Sequence, residues 1–168
     1  MAKFLQKEYR LDIQGGHAGE VIHTGAMVTD TGINEGGAVS MEARALIFGA
    51  SENGVTLPTG ATTASQIVGF TRRTVAAMNT ADQELVYKTD DLVSYLALGR
   101  IRVAVRGGCE RGANVHVHVK GDHVGQVSGV AVSDGTDDTV ELKGVKFTEK
   151  KSDGEIVVID IRVLGLEG

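Results

Sequence analysis

The sequence predicts a mainly β protein, a small β-barrel or sandwich with one short helix at most and an extended N-terminal arm. Val, Thr and Ile make up 45 of the 168 residues, and Gly adds 23. Branched side chains suit a pleated sheet, and Gly suits tight turns. Short apolar runs also recur between turn residues at a spacing of about ten residues, which is typical of small barrels and sandwiches.

The first half of the chain contains three candidate strands. Residues 21–28 form the first, and the polar residues 29–32 are interpreted as the turn that closes it. Residues 38–48 form a longer run that begins after two glycines, and residues 66–70 form a short apolar one. Between the last two runs, Leu-Pro-Thr-Gly at 57–60 predicts a turn, because Pro fixes φ and Gly supplies freedom after it.

The second half alternates more clearly between apolar and polar residues. Residues 100–105 and 115–119 have period two, which predicts strands with one buried face. In the latter run the valines are expected to point inward and the histidines outward. Further strands are expected at residues 92–98, 124–132, 140–147 and 156–163, the last of them apolar enough to be covered on both faces.

These patterns predict a core and a set of buried aromatic residues. Phe48, Phe70 and Phe147 are expected to be buried by their apolar neighbours, whereas Tyr87 and Tyr95 are the aromatic residues expected to be free. The predicted core comprises Ile101, Val103, Val105, Val115, Val117, Val119, Phe147, Val157, Ile159 and Ile161.

Residues 71–91 are the least strand-like part of the domain. Thr80 followed by Gln83 has the spacing of a capping box, which predicts a short helix near residues 81–86. A helix at residues 73–78 and an irregular polar excursion are the alternatives.

The first 18 residues are interpreted as an extended arm attached to a single β-rich domain at residues 19–168. The arm mixes charge with scattered apolar residues, and Gln-Gly-Gly at 14–16 indicates a break. A frayed terminus is the alternative. Because the arm's apolar side chains need a partner surface on this chain or another, we predict that partner-binding residues include Phe4, Leu5, Tyr9 and Leu11.

Charge and composition exclude several functional classes. The formal net charge is −5, and a surface of that sign repels phosphate backbones, so nucleic-acid binding is not expected. No apolar run reaches the 18 residues that a membrane span needs, and no secretory signal is expected at the start. The single cysteine, Cys109, excludes an intrachain disulfide and a Cys-rich zinc site.

The strongest candidate for chemistry is the pair His116 and His118. Residues at i and i+2 of a strand share a face, so both side chains could reach one metal ion, with His123 as a third ligand. A cupin-like site also needs a nearby Glu, which the spacing lacks. We therefore favour histidines that act as ordinary polar residues on a solvent-facing strand, and we predict no metal, no cofactor and no catalytic residue.

Two other clusters are weaker candidates. Cys109 lies in a Gly-flanked turn without a recognisable base, so an ordinary turn cysteine is favoured over a nucleophile. Asp134, Asp137 and Asp138 do not match the spacing of a Ca²⁺ loop, so they are interpreted as solvated turn carboxylates.

The order of motifs along the chain resembles that of a known family. One block contains Asp-Asp-Leu-Val-Ser at 90–94, Gly-Arg-Ile-Arg-Val-Ala-Val at 99–105 and Gly-Ala-Asn-Val-His-Val at 112–117. A second contains residues 139–147 and 154–162, in which an apolar segment ending in Phe147 leads through a Gly turn into the last strand. This arrangement is similar to that of the capsid cement, or decoration, proteins of tailed bacteriophages, and the similarity extends over about residues 19–163.

The resemblance implies a structural role rather than catalysis. Such proteins bind the outside of the expanded phage head over junctions between capsomers, commonly as trimers, and they stabilise the shell. The implied partners are the major capsid protein and further copies of this chain, and the implied location is the outer surface of the virion after synthesis in the host cytoplasm. The alternatives are a metal enzyme that uses His116 and His118 on a small β-barrel, or a surface- or sugar-binding module displayed on a virion.

Overall fold

A computed structural model describes residues 16–74 and 85–164, and within them almost all regular structure is β. A single one-turn 3₁₀ helix, Ala64–Gln66, is the only helix in these ranges. The strands are β1 (Val21–Ile22), β2 (Val28–Asn34), β3 (Val39–Ser40), β4 (Ala45–Phe48), β5 (Gly54–Thr56), β6 (Ile67–Thr71), β7 (Val86–Tyr87), β8 (Leu92–Arg106), β9 (Asn114–Lys120), β10 (Val127–Ser128), β11 (Asp138–Phe147) and β12 (Ile156–Ile161).

Ten of these strands form one mixed sheet whose pairings close into two rings. The first half of β8 pairs with β2 on one side and β6 on the other, and β5 and β4 complete that ring. The second half pairs with β12 and β10, and β11 and β9 complete the second ring. The predicted mainly β class is confirmed, with strands in rings rather than in one closed barrel. The short strands β3 and β7 pair separately.

The 15-residue strand β8 carries both rings, and one glycine lets it pass between them. Gly99 has a φ of +123°, a conformation that side chains with a Cβ rarely adopt. A Cβ at this position would also lie 3.0 Å from the Cβ of Met27. The two runs predicted at 92–98 and 100–105 are therefore one strand, with Gly99 at the change of direction.

All ten predicted core residues are buried, so the alternation in the second half of the chain is confirmed. The larger apolar cluster joins inward side chains of β8, β9, β11 and β12 and extends to Phe70 and Leu96 of the first ring. A smaller cluster contains Leu46, Val55 and Val93. In β12, fully buried residues alternate with half-buried ones, so the strand is not equally covered on both faces.

Several predictions about individual elements are wrong. Residues 29–32 are not a turn, because they form the middle of β2. The run at 38–48 is broken into β3 and β4 by a turn at residues 41–43. Only Val127–Ser128 of the predicted strand at 124–132 is a strand. Of the predicted helices, residues 81–84 and 75–78 lie outside the described residues, and Val86–Tyr87 is a strand.

The aromatic residues also depart from expectation. Phe70 and Phe147 are buried as predicted, but Phe48 is 65% exposed at the end of β4. Tyr87 and Tyr95 are buried rather than free, because each packs in the smaller apolar cluster. Their hydroxyl groups reach polar partners at the edge of that cluster: Tyr87 donates to the carbonyl of Arg72 at 2.9 Å. Neither tyrosine therefore offers an aromatic platform for a ligand.

Replacing Val103 by Asp should unfold the domain, because it places an unpaired charge in the larger cluster. We expect a loss of at least about 4 kcal/mol in the free energy of unfolding, measured by urea denaturation. The neighbouring Ala104→Asp is the matched control, since Ala104 is exposed on the opposite face of the same strand. It should cost less than about 1 kcal/mol. A native-like Val103→Asp protein would show that this strand is misassigned.

Candidate functional site

The histidine pair on β9 does not form the arrangement that a metal ion needs. His118 is only 2% exposed, so the prediction that both histidines point to solvent is wrong for this residue. Its Nδ1 lies 2.8 Å from Oδ1 of Asp137, and its ring contacts that of His123 edge-on with a centroid distance of 5.8 Å. Within residues 16–74 and 85–164, no group of three or more His, Cys, Asp or Glu side chains is placed to hold a metal ion.

His116 has different surroundings from His118. It is half-buried and lies opposite Glu141 of β11 and Ser128 of β10. Burial lowers the pKa of His116, and the Glu141 carboxylate opposes this shift only in part. His116 is thus favoured in its neutral form at neutral pH.

Cys109 is a packed residue rather than an exposed nucleophile. It forms an isolated bridge with Lys151, with Cys109 N–H donating to the Lys151 carbonyl at 2.8 Å. Burial raises the pKa of its thiol, and nearby carboxylates, including those of Glu149 and Glu110, raise it further. Because the thiolate is the reactive form, this environment suppresses nucleophilic chemistry.

The acidic turn between β10 and β11 uses its carboxylates to hold itself together. Oδ1 of Asp134 accepts hydrogen bonds from the N–H groups of Thr136 and Asp137, at 2.9 and 2.7 Å. Asp138 Oδ1 accepts from the Ser133 hydroxyl, and Asp137 binds His118. Asp134 is exposed, as the interpretation of solvated turn carboxylates expects, whereas Asp137 and Asp138 are only partly exposed and contact His118 and Ser133.

The described surface instead presents apolar side chains around β2. Ile33 of β2 and Leu92 of β8 are directly paired across the sheet, and they are 43% and 66% exposed. Met27 and Val28 are exposed at the other end of the strand. Isolated exposed apolar residues are common on proteins, but a cross-strand pair on one face is a candidate interaction surface.

This surface is held rigidly by a buried asparagine next to it. Asn34 is fully buried, and its Nδ2 donates to the carbonyls of Gly37 and Lys88 at 2.8 and 2.9 Å. Its backbone N–H also donates to the carbonyl of Asp91, the residue before Leu92. The ends of β2 and β8 are therefore fixed to each other and to two loops.

The residues that precede β1 are held to the rest of the domain by hydrogen bonds and ion pairs. Gly19 N–H donates to the carbonyl of Arg102 at 2.8 Å, and Arg102 forms an ion pair with Glu20 at 2.8 Å. Arg73 Nε donates to the carbonyl of Ala18 and pairs with Glu42. The predicted partner-binding residues of the arm precede this anchor and lie outside the described residues; they are Phe4, Leu5, Tyr9 and Leu11.

Sequence reasoning missed the apolar surface around β2. The run Thr-Asp-Thr-Gly at 29–32 suggested a turn, which separated Val28 from Ile33. The feature that could have identified this strand is the high proportion of β-branched residues from 28 to 33, which favours a strand over a turn.

Comparison with protein families assigns the chain to one of them. A family model described as "Structural cement protein (E217 gp24/Pam3 gp6)" matches residues 4–162. The chain therefore belongs to the phage structural cement protein family, and the resemblance noted from the sequence is confirmed. Members of this family are structural, capsid-associated proteins of the phage particle.

Solved structures show that the same fold occurs in a phage capsid. A chain from the capsid of Myoviridae phage XM1 has a TM-score of 0.68 and 16% sequence identity, and the match covers 96% of this chain and 98% of that one. The N base of the head fibre gp8.5 of bacteriophage phi29 matches with a TM-score of 0.41 and 15% identity, over 85% of this chain and all of that one. No curated protein sequence matched significantly. No helix in the part of the chain described here is long and apolar enough to cross a membrane.

Asp137→Ala should destabilise the domain, because it leaves Nδ1 of the buried His118 without its partner. The other ring nitrogen, Nε2, has no hydrogen-bond partner among the residues that the structure describes. We expect a loss of about 1–3 kcal/mol in the free energy of unfolding, measured by thermal or urea denaturation. Asp122→Ala, an exposed residue of the turn after β9, is the control and should change stability by less than about 0.5 kcal/mol. Equal effects of the two substitutions would contradict a structural role for the His118–Asp137 contact.

Proposed function

We propose that this protein binds the outside of the expanded phage capsid at junctions between capsomers and stabilises the shell as an oligomer. The observation that carries this proposal is the match to the structural cement family over residues 4–162. The match to a chain of the XM1 capsid supports the fold that such a role needs.

The physical basis of cementing is multivalency. An oligomer that touches several capsid subunits turns each further contact into an intramolecular event, so modest contacts add to a strong clamp. Binding sites that form only when the shell expands would set the timing. The proposed location is the outer surface of the virion, reached after synthesis in the host cytoplasm, and the proposed partners are the major capsid protein and other copies of this chain.

The arm is proposed to supply apolar contacts to the capsid. An extended segment can add a strand to an exposed sheet edge or place side chains in surface pockets. The candidate contacts are Phe4, Leu5, Tyr9 and Leu11.

Native mass spectrometry tests the oligomer. We expect a homotrimer at three times the chain mass of 17.6 kDa, because a threefold oligomer matches the local symmetry where capsomers meet. Elemental analysis of the same sample would check for bound metal. A species of a different stoichiometry, whether free or on the shell, would contradict the trimer.

A head-binding assay tests the proposed function itself. Expanded heads of the phage that encodes this protein, prepared without it, should bind the full chain in co-sedimentation and then release DNA at a higher temperature. A chain lacking residues 1–16 should lose most of this binding while its domain stays folded.

A matched pair of variants separates apolar contact from arm length. Replacing Phe4, Leu5, Tyr9 and Leu11 together by Ala should weaken head binding at least about tenfold, since each buried side chain contributes more than about 1 kcal/mol. The control replaces the polar Lys3, Gln6, Lys7 and Glu8 by Ala and should bind within about threefold of the full chain. Undiminished binding by the truncated chain would refute the role of the arm, and no binding by the full chain would refute the proposed function.

A further inference from the structure

Within the described residues, the side of β2 that faces β5 is paired only at the end of the strand. Residues 28–33 pair with β8 on one side, but only Ile33 and Asn34 pair with β5 on the other. Among the described residues, Val28–Thr31 therefore has no strand partner on the β5 side, and we refer to these four residues as the open edge. It contains no Lys or Pro, the residues that usually block edge pairing.

The hydrogen bonds at the paired end of β2 show which backbone N–H and C=O groups point toward the open edge. Ile33 N–H donates to the Asn53 carbonyl on the β5 side, whereas Asn34 N–H donates to Asp91 on the β8 side. Because these directions alternate along a strand, the polar groups of Thr29 and Thr31 face the open side. Thr31 N–H there donates to Oδ1 of Asp30 at 2.8 Å.

The charge on the open edge disfavours pairing with the same edge of a second copy. Asp30 is exposed near the middle of the four residues. An antiparallel pair of two such edges centred on Asp30 would place the two carboxylates opposite each other, and like charges at directly opposed positions are destabilising. The edge instead favours an extended segment with a basic residue at its centre.

The arm contains such a segment. Residues 9–12, Tyr-Arg-Leu-Asp, alternate apolar and charged side chains with the period of a strand. If Arg10 lies opposite Asp30 in antiparallel register, Tyr9 lies opposite Thr31 and Leu11 opposite Thr29. In β2, Thr29 and Thr31 share the face of Ile33, so Tyr9 and Leu11 would extend the exposed apolar surface and cover part of it.

The linker is long enough for this pairing within one chain. Gly19 is held at Arg102, and Val28 is paired with Leu98, four residues away along β8. That separation is about 13 Å at a rise of roughly 3.3 Å per residue. His17–Glu20 form a turn, in which Glu20 N–H donates to the His17 carbonyl, so the free linker is residues 12–16. Fully extended, its four residue steps span up to about 13 Å, which matches that separation and allows a chain direction antiparallel to β2.

We propose that residues 9–12 dock on the open edge of their own chain as an antiparallel strand, with Arg10 opposite Asp30. Docking supplies Thr29 and Thr31 with backbone partners and releases Oδ1 of Asp30 from Thr31 N–H to pair with Arg10, while Oδ2 keeps its 3.4 Å contact with the Tyr95 hydroxyl. It also protects an edge that would otherwise pair with other proteins. This contact goes beyond capsid binding, since it forms in the free protein; if Tyr9 and Leu11 also bind the capsid, the arm must first leave the edge.

Disulfide trapping in the free full-length protein tests the docking. In Leu11→Cys/Thr29→Cys the two Cα atoms would be about 5.5 Å apart, within the range of a disulfide. In the control, Leu11→Cys/Thr31→Cys, the two cysteines are two residues out of register. Their Cα atoms would be more than about 7 Å apart, which is too far for a disulfide. Cys109 is buried and stays in both. We expect rapid intrachain linkage in the first variant and at least about tenfold slower linkage in the control, read by non-reducing electrophoresis and peptide mapping.

Charge reversal provides a second readout that needs no new cysteine. Arg10→Asp or Asp30→Arg should lower the hydrogen-exchange protection of residues 9–12 about two- to fivefold, and the double reversal should restore it. Linkage between chains rather than within them would overturn the proposal by assigning the arm to a neighbouring copy. Equal linkage in both cysteine pairs, or unprotected arm amides, would also overturn it. None of these measurements uses phage heads, so a failure of the docking proposal can be distinguished from a failure of capsid binding.

Discussion

The fold depends on β8, the strand that belongs to both rings of the sheet. This strand supplies one wall of each ring, so most of the described strands pair either with it or with one of its neighbours. Val103, in its second half, lies in the larger apolar cluster, and Val93, in its first half, lies in the smaller one. Gly99 makes this possible, because its positive φ turns the strand where one ring ends and the other begins.

Several polar side chains among the described residues bind other parts of the same chain. His118 binds Asp137, Asn34 holds two loops, and Asp134 closes its own turn. Cys109 is packed and has a raised pKa, which opposes thiolate chemistry. Among the described residues, these side chains of types that often serve in catalysis thus make contacts within the scaffold. The candidate interaction features are the apolar pair Ile33–Leu92, the open edge of β2 and the arm.

Sequence was most informative where strands have one buried face. Period-two alternation identified six buried residues, three in each of the runs 100–105 and 115–119, because a one-residue error would have reversed every face. It failed where tertiary contacts override local pattern. Thr29–Gly32 resembles a turn but is held extended by β8. His118 is buried with its Nδ1 2.8 Å from Oδ1 of Asp137, a contact that no local pattern marks. Phe48 looks like a core residue, yet the strand ends there and exposes it. The family was recognisable from motif order, whereas no local pattern marked the open edge.

The most direct measurement is a cryo-electron microscopy reconstruction of the mature particle of the phage that encodes this chain. The account predicts density for the two-ring fold on the outer surface of the shell, over junctions where capsomers meet. Its copies should form a symmetric oligomer, each in contact with more than one capsid subunit. Density confined to the inside of the shell or to the tail, or a particle that lacks the chain, would contradict the account.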